Sequence, residues 1–255
     1  MRESFLQKIE TGDKYVHAYP EQNHFNRYFN YELGCGEIRP VYTAHLETLL
    51  PAWRSYLQKE KVLLEEEFEI SDLKIEEDKI HYKDIVAEKI IFCDGTGSFE
   101  NRYFKKLPFA PNKGEALVAE IPDLPDTNIY KKGMMIVPMA EKDLFWIGAS
   151  YIWDFDNPDQ TKAFRESTEL VLKQWLKIPF TIVEHRSGLR PATLERRPFV
   201  GFHPLHPSIG ILNGMGTKGC SLAPFFARQL TDNLVYQLPI AKDADVNRFA
   251  KILAR

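Results

Sequence analysis

The chain has 255 residues, 44% of them hydrophobic, which is enough to bury a large core as one domain or two. Its 33 basic and 36 acidic residues give a net charge of −3, without the dense basic stripe that is typical of a nucleic-acid platform. Three separated cysteines and seven histidines without ligand spacing argue against a zinc site or a disulfide framework. We expect a cytoplasmic protein, because the sequence shows neither a signal peptide nor an apolar run of membrane-spanning length.

The first hundred residues change character twice. Residues 1–42 are aromatic and polar with weak periodicity, and they are predicted to form strands and loops. Apolar residues then recur at positions 46, 49, 50, 53 and 57, which predicts an amphipathic helix with Thr43 as its N-cap, kinked or tightened at Pro51. The run "KIIFCDGTG" (89–97) is closed by glycine and predicts a strand buried on both faces, as in a parallel sheet.

The middle of the chain is typical of an antiparallel sheet, with one helical segment at residues 160–177. Its short apolar runs are "GEALVAEIP", "GMMIVPM", "DLFWIGASY" and "FTIVEHRSG". After Pro198 come a strand at 209–212, the loop "NGMGTKG" (213–219), a helix with apolar residues at 222, 226, 230 and 234, and a short final helix. The order predicts a mixed α+β and α/β fold of two parts that interleave along the chain. The antiparallel part takes residues 1–42 and 105–198, and the α/β part takes residues 43–104 and 199–255.

The loop "NGMGTKG" matches G-x-G-x-x-G through Gly214, Gly216 and Gly219. A classical dinucleotide-binding unit is disfavoured, because the residues after Gly219 contain no second strand and no strand-end acid for a ribose. A tight turn, in which glycines permit close packing, is one alternative. The other is a helix N-terminus that stabilises negative charge, such as the electron-rich edge of a reduced flavin.

Two cations and a second glycine loop are candidate binding elements. Arg190, in "SGLRPATLERRPFVG", lies in a loop shaped by glycine and proline and suits bidentate carboxylate binding, with a solvated or ion-paired arginine as the alternative. Lys218 either adds positive charge toward an anionic substrate or faces solvent. The loop "CDGTGS" (93–98) either approaches a cofactor phosphate or sugar closely or forms an ordinary turn. Cys220 is interpreted as a buried structural cysteine.

In this order over residues 33–236, these segments resemble the FAD-dependent D-amino-acid oxidase superfamily, which includes glycine oxidase and sarcosine oxidase. "KIIFCDGTGS" is similar to a strand and turn of that family, and "LPFAPNKGEALVAEIP" to its entry into the substrate domain. "GLRPATLERRPFVG" together with "GILNGMGTKGCSLAP" resembles the C-terminal flavin-binding signature. The same segments resemble the flavin domain of a tRNA methylaminomethyl-uridine biosynthesis enzyme.

The resemblance implies a partial FAD-binding α/β domain interleaved with an antiparallel-sheet substrate domain. It implies oxidation of a small amine or amino acid by hydride transfer to flavin N5. The family opens with a strand–GxGxxG–helix unit that this sequence does not show, so the chain is interpreted as truncated at the N-terminus, with homo-oligomerisation expected to cover exposed sheet edge. Two alternatives stay open: a non-catalytic binding or scaffold protein that keeps the substrate pocket, and a flavin enzyme acting on a modified tRNA base.

The resemblance also implies roles for individual residues. Arg190 matches the family's carboxylate-binding arginine, Lys218 falls where sarcosine oxidases place a carboxylate-binding lysine, and Met135 stands where glycine oxidases have a substrate-facing tyrosine. Gly188 falls where sarcosine oxidases carry the flavin-linking cysteine, so noncovalent FAD is expected, and no metal is implied. The remaining implied cofactor-binding residues are Gly95, Thr96 and Gly97 near the diphosphate and adenosine part, and Asn213, Gly214, Met215, Gly216, Thr217, Lys218 and Gly219 at the pyrimidine end of the flavin.

Overall fold

The computed structural model of the chain describes residues 2–255, apart from the side chain of Arg2. The α-helices are α1 (Arg2–Glu10), α2 (Leu46–Lys59), α3 (Lys162–Trp175), α4 (Gly219–Tyr236) and α5 (Ala250–Leu253). The strands are β1 (Val16–Ala18), β2 (Gly36–Ile38), β3 (Lys74–Glu76), β4 (Lys79–Tyr82), β5 (Ile85–Ala87), β6 (Ile90–Phe92), β7 (Asn112–Glu120), β8 (Tyr130–Lys132), β9 (Met134–Pro138), β10 (Leu144–Gly148), β11 (Thr181–Arg190), β12 (Phe199–Phe202) and β13 (Ile209–Asn213). This mixture of helices and sheets confirms the predicted α/β character.

The chain divides into two units, each built from three separate segments. Unit 1 comprises Met1–Leu63, Glu115–Ser150 and Asp159–Ser187. Unit 2 comprises Leu64–Gly114, Tyr151–Pro158 and Gly188–Arg255. The assignment of one part of the chain to substrate and the other to FAD stays a prediction.

Unit 1 is organised by a five-stranded sheet in the order β11-β7-β10-β9-β8, which confirms the predicted antiparallel sheet. Alternate residues of its strands point to one core face, where Leu117 pairs with Ile147 and Ala119 with Phe145. The predicted helix at 160–177 is α3, and its Leu172 joins the same core. Burial of this helix face against the sheet holds unit 1 together.

A buried carboxylate ties three elements of unit 1 together. Glu115 of β7 is fully buried, and it accepts hydrogen bonds from the backbone N–H of Thr161 at 2.6 Å and from the Thr161 hydroxyl at 2.9 Å. His185 Nε2 of β11 lies 3.0 Å from the same carboxylate. Thr161 is also the N-cap of α3, since its hydroxyl oxygen accepts from the backbone N–H of Phe164.

Unit 2 contains a three-stranded sheet in which β13 pairs antiparallel with β12 and parallel with β6. The parallel pairing predicted for residues 89–97 is confirmed, but burial on both faces is wrong, because Ile90 and Ile91 are half-buried and β6 lies at the edge of this sheet. Phe199 is fully buried in the core of this unit, where Phe109 and Phe249 pack edge-on against it.

Two predictions near the N-terminus need correction. Residues 2–10 form α1 rather than strands and loops, because a nine-residue polar helix with few apolar side chains has almost no periodic signal. The helix predicted from position 46 is confirmed as α2, with Pro51 inside it, but its N-cap is His45 and not Thr43. None of the α2 residues is buried. Among the helices of residues 2–255, none combines the length and apolar composition needed to cross a membrane.

The titration of His203 is expected to make the stability of unit 2 depend on pH. Burial, with a smaller contribution from nearby His206, lowers the pKa of His203 to about 4 from its ordinary value of 6.5. The unfolded chain therefore binds a proton more readily than the folded chain between these values, so stability is full above pH 6.5 and falls as the pH drops toward 4. At about 1.4 kcal/mol per pH unit, the loss is on the order of 3 kcal/mol.

This loss is measured by urea unfolding from pH 4 to 7 on the protein and on His203→Asn. The asparagine oxygen can still accept the hydrogen bond that the backbone N–H of Leu205 donates to His203 Nδ1. The variant is expected to lose less stability on acidification, and an unchanged pH profile would show that His203 is not the group responsible.

Candidate functional site

Two predicted cofactor loops meet in unit 2. The strands β6 and β13 are parallel, so their carboxyl ends lie at the same edge of the sheet, where ligands of α/β proteins commonly bind. Residues 93–98 follow β6, and residues 213–219 include the end of β13 and the loop after it. The side-chain amide nitrogen of Asn213 donates to the carbonyl oxygen of Gly95 at 2.8 Å. The loop that contains Gly95, Thr96 and Gly97 is therefore joined directly to the glycine loop.

The segment after β11 meets the same glycine loop. The backbone N–H of Gly216 donates to the carbonyl oxygen of Pro191 at 3.2 Å. Gly214 has φ +80°, and an added Cβ there would lie 2.7 Å from Cγ2 of Thr193, so this position requires glycine. Unit 2 thus brings three of the predicted site segments together: 93–98, 188–193 and 213–219.

The glycine loop leads through a short 3₁₀ turn, Gly216–Lys218, into α4. Lys218 is the N-cap of α4, and its side chain makes no capping hydrogen bond. An added Cβ on Gly219 would meet no described atom within 4 Å, and Thr217 and Lys218 are exposed. A helix N-terminus that borders open space, with a lysine beside it, suits an anionic or electron-rich group.

Arg190 lies at the end of β11, where neighbouring residues hold its guanidinium group in place. Its Nη1 donates to Oδ1 of Asn112 at 2.6 Å and to the carbonyl oxygen of Lys113 at 3.4 Å. The guanidinium carbon lies 4.7 Å from the centroid of the Tyr151 ring. A Cβ on Gly114 would lie 2.0 Å from Nη2 of Arg190, so only glycine lets the guanidinium approach the strand this closely.

The environment of Arg190 favours an anionic partner. Burial lowers the pKa of its guanidinium, and the smaller effect of Tyr151 opposes this. A partly desolvated cation is stabilised when a carboxylate pairs with it, and the planar guanidinium suits two parallel hydrogen bonds. The alternative of a fully solvated loop arginine is therefore disfavoured.

Other predicted residues lie elsewhere or differ from expectation. Met135 lies on β9 in unit 1, where it alternates with the core residue Ile136 and therefore points to the opposite face of the sheet. Gly188 is exposed in unit 2, and a Cβ there would meet no described atom within 4 Å. Cys220 is exposed, so its prediction as a buried cysteine is wrong, because Leu222 and Phe226 rather than Cys220 lie on the face of α4 that packs into the core. Within residues 2–255, no group of three potential ligands could hold a metal ion.

Sequence reasoning missed the residues that surround Arg190. Gly114 carried a usable signal, since a glycine at the start of an apolar strand often marks close approach by another group. Asn112 and Tyr151 carried none, because they are 78 and 39 positions from Arg190 and only folding brings them to it.

Comparison with known proteins identifies the family. Residues 40–233 match the family described as DAO, FAD dependent oxidoreductase. The chain belongs to the DAO family. It is 28% identical over 198 residues to glycine oxidase of Bacillus subtilis (strain 168), an alignment that covers 70% of this chain and 52% of the relative. The chain therefore spans about half the length of this curated relative.

Solved structures share the fold of this DAO-family chain. Glycine oxidase from Bacillus cereus ATCC 14579 matches with a TM-score of 0.75 and 17% identity, covering 93% of this chain and 70% of that one. L-alpha-glycerophosphate oxidase from Mycoplasma pneumoniae, solved with FAD bound, matches with a TM-score of 0.74 and 16% identity, covering 95% of this chain and 72% of that one. At these identities the likeness shows the fold.

FAD is the cofactor of the DAO family, and the residues of unit 2 fit part of it. Gly95, Gly188 and Gly219 each border space that a Cβ would enter without meeting a described atom within 4 Å. The first turn of α4 and Lys218 add positive electrostatic potential on the glycine-loop side. A flavin, whose pyrimidine edge gains negative charge on reduction, matches this combination.

Proposed function

We propose that this chain binds FAD noncovalently and serves in the oxidation of a small amine or amino acid whose carboxylate pairs with Arg190. The observation that carries the proposal is the partly desolvated guanidinium of Arg190, packed on Gly114 and Tyr151 next to the segment that meets the glycine loop. Such a cation has a free-energy reason to bind a carboxylate. The chain spans about half the length of its curated relative. That this chain is active without further sequence is therefore also proposed here.

Each residue has one task in this proposal. Asn112 and the Lys113 carbonyl oxygen hold Nη1 of Arg190, which orients the guanidinium for bidentate pairing with a carboxylate. Lys218 adds a second positive charge, and the first turn of α4 would hold the pyrimidine end of the flavin. FAD, when bound, supplies the hydride acceptor for oxidation of the carbon that bears the substrate nitrogen. Fixing the carboxylate fixes the position of that carbon, which is the main contribution of Arg190.

The test compares glycine with methylamine, which lacks only the carboxylate. The purified chain is titrated with FAD, and flavin reduction and hydrogen peroxide formation are followed with each substrate. Arg190→Ala is expected to raise KM for glycine about 10- to 100-fold, because a charged hydrogen-bond partner is lost, and to leave methylamine unaffected. Arg190→Lys is expected to be intermediate, since lysine keeps the charge without the planar geometry.

The matched control is Arg228→Ala, since Arg228 is an exposed arginine that pairs with Asp232 on α4. It should behave like the unaltered chain. Equal turnover of glycine by Arg190→Ala would refute the carboxylate role. A chain that cannot take up FAD would refute the cofactor proposal and favour a non-catalytic binding protein. The cytoplasmic location and the homo-oligomer stay predictions.

A further inference from the structure

A partly buried polar cluster lies where β6 and β13 end. It consists of Asp94, Ser98 and Asn213, and we call it the loop cross-link. Ser98 is fully buried and Asn213 is 5% exposed, whereas Asp94 is exposed. The Ser98 hydroxyl donates to Oδ1 of Asp94. Nδ2 of Asn213 donates to Oγ of Ser98 at 2.9 Å and reaches Oδ1 of Asp94 at 3.3 Å, in addition to its bond to the Gly95 carbonyl oxygen.

The oxygen of the Asn213 amide is used inside the protein as well. Oδ1 accepts a hydrogen bond of 2.7 Å from the backbone N–H of Gly214, the first residue of the glycine loop with positive φ. The amide nitrogen of Asn213 therefore bonds to the loop 93–98, and the amide oxygen bonds to the loop 213–219. The N–H groups of this amide already have protein acceptors. The side chain of Asn213 thus suits a structural task better than direct contact with a cofactor.

The cross-link counteracts the flexibility of two glycine-rich loops. Glycine loses more backbone entropy on ordering than any other residue, and each loop contains at least two glycines. Buried polar groups that are fully paired give a specific arrangement, whereas an unpaired one costs free energy. The network links residues 115 to 119 positions apart in sequence, so it orders both loops together.

We propose that Asp94, Ser98 and Asn213 are positioning residues that lock the loop 93–98 to the loop 213–219 and so preorganise both for the cofactor. This inference rests on the proposed function for its consequence in FAD binding. The lock between the loops is a property of the cofactor-free chain and is measurable there.

The test uses substitutions that keep volume and change hydrogen bonding. Asn213→Asp replaces the amide by a carboxylate that faces the Asp94 carboxylate and the Gly95 carbonyl oxygen, so donors become acceptors. The double variant Asp94→Asn with Asn213→Asp restores an amide–carboxylate pair in the opposite sense. Ser208→Ala is the matched control. Ser208 is also a buried residue of unit 2, but it lies just before the first residue of β13, at the end of the strand away from the two loops.

Hydrogen–deuterium exchange is measured on the cofactor-free full chain, with urea unfolding to compare global stability. Asn213→Asp is expected to speed exchange at the amides of Gly97 and Gly214 about 10- to 100-fold, and to weaken FAD binding by a similar factor. The double variant is expected to recover part of both, and Ser208→Ala is expected to change neither.

Exchange at both loops equal to that of Ser208→Ala would overturn the inference, as would faster exchange that merely follows a global loss of stability. Faster loop exchange with unchanged FAD affinity would overturn the positioning role while leaving the proposed function standing. If the unaltered chain takes up no FAD, the proposed function fails together with the cofactor role. In that case the exchange data still decide whether the loops are locked.

Discussion

Gly114→Ala is expected to impair amino-acid binding about as strongly as loss of Arg190 itself. The new Cβ would lie 2.0 Å from Nη2 and 2.2 Å from the guanidinium carbon of Arg190, so the side chain must leave its position beside Asn112. We expect KM for glycine to rise about 10- to 100-fold. The clashing atoms are the end of a flexible side chain that can move away, so the loss in the free energy of unfolding is expected to be about 1 kcal/mol, the value of one lost hydrogen bond.

A double variant separates this mechanism from general damage to the strand. In Gly114→Ala with Arg190→Ala the clashing side chain is gone, so KM should equal that of Arg190→Ala, with no further loss of stability. Steady-state kinetics and urea unfolding of the four proteins in this cycle provide the measurement. Additive losses in the cycle would mean that the guanidinium is not held against Gly114.

Glu115→Ala is expected to be among the most destabilising single changes in unit 1. Removing the fully buried carboxylate takes an acceptor from the backbone N–H and hydroxyl of Thr161 and from Nε2 of His185. Breaking a buried network by removing one partner costs about 3–5 kcal/mol, since the remaining groups stay buried. Glu115→Gln keeps the volume and one acceptor oxygen, so about 1–3 kcal/mol is expected.

Urea unfolding measures these losses, and Glu166→Ala provides the control. Glu166 lies on the exposed side of α3, where it pairs with Lys162 at 3.4 Å, and its loss should change stability by less than about 0.5 kcal/mol. If Glu115→Ala were no more harmful than Glu166→Ala, the network would contribute little net stability.

The strands of the middle region show where sequence patterns are reliable. The antiparallel sheet predicted from short apolar runs such as "GEALVAEIP" is confirmed, and Leu117, Ala119 and Ile121 of that run lie in the core. The helical segment predicted at residues 160–177 is confirmed as α3, and its Leu172 is buried. The apolar residues of α2 recur with a clear helical period, yet no residue of α2 is buried. Periodicity therefore identifies a helix without showing what packs against its apolar face.

Short and polar elements were predictable only in part. Helix α1 was missed because its local signal is weak, and His45 rather than Thr43 precedes α2 because a cap depends on backbone angles that composition does not determine. The strand at 89–97 was predicted with its parallel pairing, but its burial depends on how many strands flank it.

The sequence by itself determined the fold class, the helices α2 to α5, the strands of the antiparallel middle region, and the motifs that indicated an FAD-dependent family, because these follow from local periodicity and from residue order. Only the tertiary structure decided which residues surround each candidate group. It brought Asn112, Gly114 and Tyr151 to Arg190, and Asp94 and Ser98 to Asn213. The physical reason is that hydrogen bonds and close packing act over a few ångströms in space, and residues 39 to 119 positions apart come within that range only when the sheets form.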